Sequence, residues 1–335
     1  MNKIVFLALF IILFGSFSYS QNIYDFLRLD GSARAGALGG SFVSNNDDAD
    51  VIFYNPAGID LLQGNPASFS FVKHLMDINL ATLSYSTEFE NIGRFGAAIK
   101  YINYGSFEGA DDFGTKTSEF SAGEFAFVLG YANQLDDNFY YGANAKFIYS
   151  SIETRSSTAA AVDLGLHYAI PVKNWNFGFA VLNLGGQLSK YYETSETEEL
   201  PLDVVIGVSK KLENLPLRLS VDFHKLNEDR DDFIERFKAF TVGAEFTLSK
   251  VLKLRLGYDN ERRSEFKIGS TAGVAGFNAG LGVKVSDYQF DYGYSSLGLV
   301  GGLHRIGIST SLWFYQDMLH MSFPWKRESK MLYTK

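Results

Sequence analysis

Five histidines, His74, His167, His224, His304 and His320, are the residues best suited to acid–base or metal chemistry, and they are scattered along the chain. No two share an element at metal-ligand spacing, so each reads as a residue of a wet face or a rim. The run Asp47-Asp48-Ala49-Asp50 offers carboxylates to a calcium ion. It lacks the spacing and the closing glutamate of an EF-hand loop, and reads better as a solvated or helix-capping acidic turn. Asp25 and Arg28 could pair, which would be structural rather than catalytic. The sequence has no Gly-x-Ser-x-Gly elbow, no phosphate-binding loop and no dinucleotide fingerprint behind a strand. With no cysteine, it has no disulfides, no thiolate metal sites and no lipoprotein anchor. The expectation is a non-enzyme without cofactor or metal.

The elements that carry these residues follow period two from about Ser68 to Phe314. In Leu217-Arg218-Leu219-Ser220-Val221-Asp222-Phe223-His224 every odd position is apolar and every even one polar. Lys253 to Asp259 and Tyr288 to Tyr294 repeat the pattern, giving each segment one oily and one wet face. A soluble sandwich with one buried face would also alternate. Two features favour a membrane barrel. Arg94 to Tyr104 and Phe139 to Ser150 exceed the ~5–6 residues usual in soluble strands and suit the ~9–11 of a tilted membrane strand. The wet face is also small and charged (Arg94, Gly96, Ala98, Lys100; Gly142, Asn144, Lys146; Thr241, Gly243, Glu245), which fits a polar lumen and not a sandwich core.

Segments between turn signals number about fourteen, an even count as single-chain bacterial barrels have. The stretch from Gly269 to Leu281 is ambiguous. Short turns at Asp136–Asn138, Pro171–Asn174 and Glu213–Leu215 alternate with longer acidic loops at Phe107–Thr117, Tyr191–Leu200 and Asn227–Glu235. That alternation fits periplasmic and extracellular ends. The fold class expected is all-β: a transmembrane antiparallel β-barrel of about 14 strands with an N-terminal hatch or plug.

The first twenty residues have the layout of a secretory signal: Met1-Asn2-Lys3, the apolar run Ile4 to Phe14, then Gly15 to Ser20. The run is about half of the ~20 residues a spanning helix needs. Cleavage is expected before Gln21, so the chain would be exported, and its barrel would place it in the outer membrane. Losing the +1 of Lys3 takes the net charge from −8 to −9, a balance that argues against a nucleic-acid partner. Mean hydropathy of −0.03 excludes a helical membrane bundle but leaves a barrel open, because alternation hides apolar character. Thirty Phe and 19 Tyr against six Pro agree with a barrel.

Residues 21–66 differ from the rest: they are rich in Gly and Ala, then acidic, and too few for a core of their own. Small residues allow close packing, so a plug inside the lumen of the 67–314 barrel is expected, against the simpler alternative of an exposed leader. The tail 315–335 shows no alternation and has no assigned role, and Trp313-Phe314 could close the last strand.

The stretch Ser32 to Val43, with Asp47-Asp48 and Phe53-Tyr54-Asn55-Pro56-Ala57-Gly58, resembles the amino-terminal hatch motif of the FadL-like barrel superfamily. On it Arg34, Gly39, Gly40, Asn55, Pro56 and Gly58 are structural motif positions. Tyr24-Asp25-Phe26-Leu27-Arg28-Leu29 is similar to the PorV/PorQ family of the type IX secretion system. Tyr101 to Gly109, Leu129 to Ala132, Gly142 to Ser150 and Leu252 to Tyr258 point toward its PorQ branch. The tail departs from a family that ends at its last strand. The resemblance implies a fourteen-stranded barrel with the hatch folded inside. It also implies a role in secretion or cell-surface attachment, with outer-membrane lipid and PorU-, PorV- or PorZ-like proteins as partners. The alternative it leaves open is a FadL-like channel for long-chain fatty acids or other hydrophobic compounds, in which the hatch moves to open a path.

Overall fold

The computed structural model describes residues 24–111, 113–193, 196–228, 233–266 and 273–312. The expected signal at 1–20, Trp313-Phe314 and the tail 315–335 lie outside the described residues. Fourteen strands follow in order: β1 Pro66–Lys73, β2 Asn79–Phe89, β3 Gly93–Ala110, β4 Lys116–Asp136, β5 Phe139–Ile152, β6 Arg155–Ile170 and β7 Trp175–Ser189. The second half is β8 Asp203–Lys211, β9 Leu217–Phe223, β10 Phe240–Thr247, β11 Leu252–Asp259, β12 Phe277–Val285, β13 Tyr288–Ser296 and β14 Gly302–Ser311. Each pairs antiparallel with its chain neighbours, and β1 closes the sheet on β14 from Pro66 opposite Ser311 to Lys73 opposite His304. Closure leaves no open edge around the ring, the condition for a sheet to cross a membrane.

Alternation sets which face is which. Along β3, Phe95, Ile99 and Tyr101 are exposed while Arg94, Ala98, Lys100 and Ile102 are buried. The inward set read from the sequence is buried as expected, with Asn144, Lys146, Thr241 and Glu245 all pointing away from the apolar exterior. Apolar groups outside with charged groups inside invert the soluble pattern, and together they make a membrane-spanning barrel. No helix among the described residues is long and apolar enough to cross a membrane. Replacing outward Leu129, 52% exposed on β4, by arginine should cost ~2–4 kcal/mol of folding free energy if it sits near the bilayer midplane. Urea titration of folding into phospholipid vesicles measures this, and a neutral result would place Leu129 outside the lipid belt.

One expected loop is strand. Phe107–Thr117 is acidic and reads as a connection, but β3 runs to Ala110 and β4 starts at Lys116, so only a tight turn is left. A two-stranded ribbon needs only cross-strand partners, and Phe107 opposite Phe120 supplies one pair. β3 and β4 thus reach 18 and 21 residues while β9 has 7, so the wall is much taller on one side.

Candidate functional site

Residues 24–65 lie within the barrel as four short helical turns, Asp25–Arg28, Ala33–Ala37, Ala49–Phe53 and Pro56–Leu61, joined by extended chain. Side-chain oxygens cap three of them: Ser32 accepts from the Ala35 N–H, Asp48 from Asp50 and Asn55 from Ala57. The segment is too short to bury itself, and the lumen does it instead. Tyr24, Phe26, Phe42, Val51, Ile52 and Ile59 are each at most 2% exposed.

The wall makes room through its own glycines. A Cβ at Gly257 would lie 2.3 Å from the Gly39 nitrogen, one at Gly142 2.6 Å from the Ala57 nitrogen, and one at Gly178 2.2 Å from the Val43 oxygen. At these points hatch backbone rests directly on strand backbone.

Charged wall residues then hold the hatch. Arg34 makes a two-pronged pair with Glu245, Nε and Nη2 each donating at 2.9 Å, and its Nη1 lies 2.9 Å from Asp47 and 3.3 Å from Asp48. Arg218 grips Asp47 with both terminal nitrogens at 3.0 and 2.9 Å. Arg255 joins Glu245 at 2.7 Å to Asp291 at 2.6 Å. Asp222, fully buried, accepts the Phe42 and Val43 N–H groups at 2.6 and 2.8 Å. Lys100 donates to the Leu27 and Leu29 carbonyls, and Arg94 to those of Leu62 and Gly64. Buried Arg34, Arg94 and Arg255 are ion-paired, while Asp222 and Lys100 are held by hydrogen bonds to hatch backbone.

The motif positions take distinct places. Arg34 is the centre of the ionic cluster. Gly39 and Gly40 have φ of +72° and +87°, the left-handed turn that reverses the chain after Ala33–Ala37. Asn55 donates to the Val43 and Leu166 carbonyls, so it fastens hatch to hatch and hatch to wall. Pro56 opens the Pro56–Leu61 turn, and Gly58 packs under Val51 where a Cβ would approach to 2.7 Å. Two expectations need correction. The acidic run is only partly solvated: Asp47 is exposed and Asp48 half-buried, but Asp50 is buried and accepts from Ser68 and Ser84. The helix-capping half of that reading holds. Arg28 pairs not with Asp25 but with Glu228 at 3.5 Å, and donates to the Leu202 carbonyl at 2.9 Å. The loops bring Glu228 and the Leu202 carbonyl to half-buried Arg28, whereas Asp25 stays exposed.

The same corner contains His224, with Nδ1 3.8 Å from Asp203. Burial alone would lower its pKa, but the Asp203 carboxylate outweighs this and raises it to about 9. A histidine raised above its ordinary 6.5 adds stability that is fully present below that pH and lost as pH climbs through about 9. The protection of the Arg28 and Leu29 amides, corrected for the intrinsic rise of exchange with pH, should therefore fall over that window. His224→Gln should flatten the dependence, and an unchanged profile in that variant would assign it elsewhere.

Between hatch and wall, beside Lys100, Leu182 and His224, a cavity of about 60 Å³ remains. An apolar cavity that holds benzene measures ~150 Å³. No group of three His, Cys, Asp or Glu among the described residues could hold a metal.

Neither a family model nor a curated protein matches the sequence. Solved structures do match the fold. The toluene transporter TbuX of Ralstonia pickettii aligns with a TM-score of 0.55 at 13% identity, covering 83% of this chain and 97% of that one. The Pseudomonas putida toluene transporter TodX gives 0.53 at 14%, covering 84% and 96%. A Pseudomonas aeruginosa FadL homologue gives 0.50 at 11%, covering 89% and 99%. At these identities the likeness is one of fold alone, a closed antiparallel barrel, here of fourteen strands.

Proposed function

We propose that this chain is a plugged outer-membrane barrel of the PorV/PorQ type that helps retain exported proteins at the cell surface as part of a type IX secretion complex. The observation that carries this reading, beside the motif resemblance, is the shut lumen. Arg34, Asp47, Arg218 and Glu245 clamp the hatch, and the cavity of about 60 Å³ beside Lys100, Leu182 and His224 is smaller than a monoaromatic ring requires, while a wider one of about 470 Å³ opens beside Asp60, Glu88 and Tyr140. A bore filled in this way leaves the rims and loops as the working surfaces. The partners expected are outer-membrane lipid around the belt and PorU-, PorV- or PorZ-like proteins at the ends. Mild-detergent pulldown of the tagged protein from native outer membranes, with mass spectrometry of what co-purifies, tests this. Recovery of such proteins supports attachment, and recovery of the folded barrel alone counts against it.

A second reading has its own support. The fold is that of proteins described as toluene transporters and a FadL homologue, so the barrel would pass hydrophobic compounds once the hatch moves. Uptake of labelled toluene or fatty acid by cells expressing the chain, above that of cells without it, would favour this reading.

A further inference from the structure

The β3–β4 hairpin outlasts its neighbours. β2 follows β3 only as far as Asn79 opposite Asn103, and β5 follows β4 only to Ile152 opposite Ala122. β3 and β4 stay paired to Ala110 opposite Lys116. A register shift just past Asn103, with Gly105 at φ +86°, marks where the ribbon leaves the rim. Beyond it, residues 106–110 and 116–120 have no ladder partner on their outer edges among the described residues. Such an edge presents backbone donors and acceptors at the spacing of another strand.

The two faces of the ribbon differ. Phe107 and Phe120, directly opposite, stack with ring centroids 5.4 Å apart, and Phe107 is 42% exposed. On the other face Glu108 stands opposite Glu119, a like-charge pair that costs stability. Lys116 answers Glu108 at 2.6 Å, while Glu119 has no partner among the described residues. Acidic groups can simply guard an edge against aggregation. Here they sit on one face only, with an exposed aromatic shelf on the other, which selects a particular strand and does not repel all of them.

We propose that the free edge of β3 at 106–110 receives an extended segment of another polypeptide as an added antiparallel strand. Its residues would alternate, basic ones beside Glu108 and reaching toward Glu119, and apolar ones beside Phe107 at the edge of the aromatic pair. The proposal is independent of whether the barrel serves attachment or transport.

The test uses the full chain in detergent, checked for heat-modifiable migration, and a fluorescent Lys-Val-Lys-Val-Lys-Val-Lys peptide followed by anisotropy. A second peptide of the same sequence, N-methylated on every backbone amide, keeps the side-chain charges but has no N–H on either edge with which to join a ladder. Methylation should weaken binding about tenfold or more, and so should Glu108→Lys with Glu119→Lys, each corresponding to ~1.4 kcal/mol. Equal binding of the methylated peptide, or binding unmoved by the paired charge reversal, overturns the proposal.

Discussion

Arg34→Ala should free the hatch while leaving the barrel closed on itself. Arg34 is 5% exposed and is the residue through which the acidic turn and the wall strand β10 meet. Its loss strands Asp48 beside Asp50 without its cation. Glu245 keeps Arg255 and Lys253, and Asp47 keeps Arg218, so part of the network survives. Breaking a buried pair typically costs ~3–5 kcal/mol, and the surviving partners put this case near the lower end. That loss should fall on hatch amides in hydrogen exchange, at residues 33–60, and not on the β4–β6 ladder. Planar-bilayer recordings should show ion conductance that the parent lacks. Arg34→Lys should recover part of the protection, because an ammonium keeps the charge but not the two-pronged geometry. Unaltered hatch protection in Arg34→Ala would mean that packing alone seats the hatch.

Gly257→Ala should be nearly as damaging for a different reason. The added methyl would meet the Gly39 nitrogen at 2.3 Å and the Leu38 carbonyl carbon at 2.4 Å. Both are backbone, which no rotamer change can clear, so the hatch must lift from the wall at the Gly39-Gly40 turn. Overpacking typically costs ~1–3 kcal/mol, and a backbone-to-backbone clash belongs at the upper end. Gly186→Ala on β7 is the control, since a Cβ there meets nothing within 4 Å. Thermal unfolding in detergent should separate the two variants clearly. Equal stability would show that the wall at Gly257 gives way without dislodging the hatch.

These two sites show what the sequence discloses and what it conceals. Alternation in Leu217 to His224 and Lys253 to Asp259 is a local signal, so the strands, their inward faces and the fourteen-strand count were all legible. The small residues of the hatch also announced close packing. Their counterparts did not. Gly142, Gly178 and Gly257 look like ordinary strand glycines until the hatch backbone is seen against them. Arg34 and Glu245 are 211 residues apart, and nothing local ties one to the other. The acidic turn looked solvated because three aspartates (Asp47, Asp48 and Asp50) in four residues usually are. It is partly buried because Arg34 and Arg218 meet Asp47, and Ser68 and Ser84 meet Asp50. The β3–β4 ribbon looked like a loop because its glutamates and glycines mask a cross-strand register that only pairing reveals.

The most direct test of a barrel that works with its bore shut is to lock it shut. The chain has no native cysteine, and a Cβ at Gly307 would lie 3.2 Å from that of Ala33, a few tenths short of the ~3.5–4.5 Å span of a disulfide. Ala33→Cys with Gly307→Cys therefore ties hatch to β14 under oxidation and releases it under reduction. Surface retention of exported proteins, measured in the native bacterium with this variant as the sole copy, is the readout. The expected result is equal retention with the disulfide formed or reduced. Retention that collapses on oxidation and returns on reduction would contradict it, because the hatch would then have to move for the protein to work.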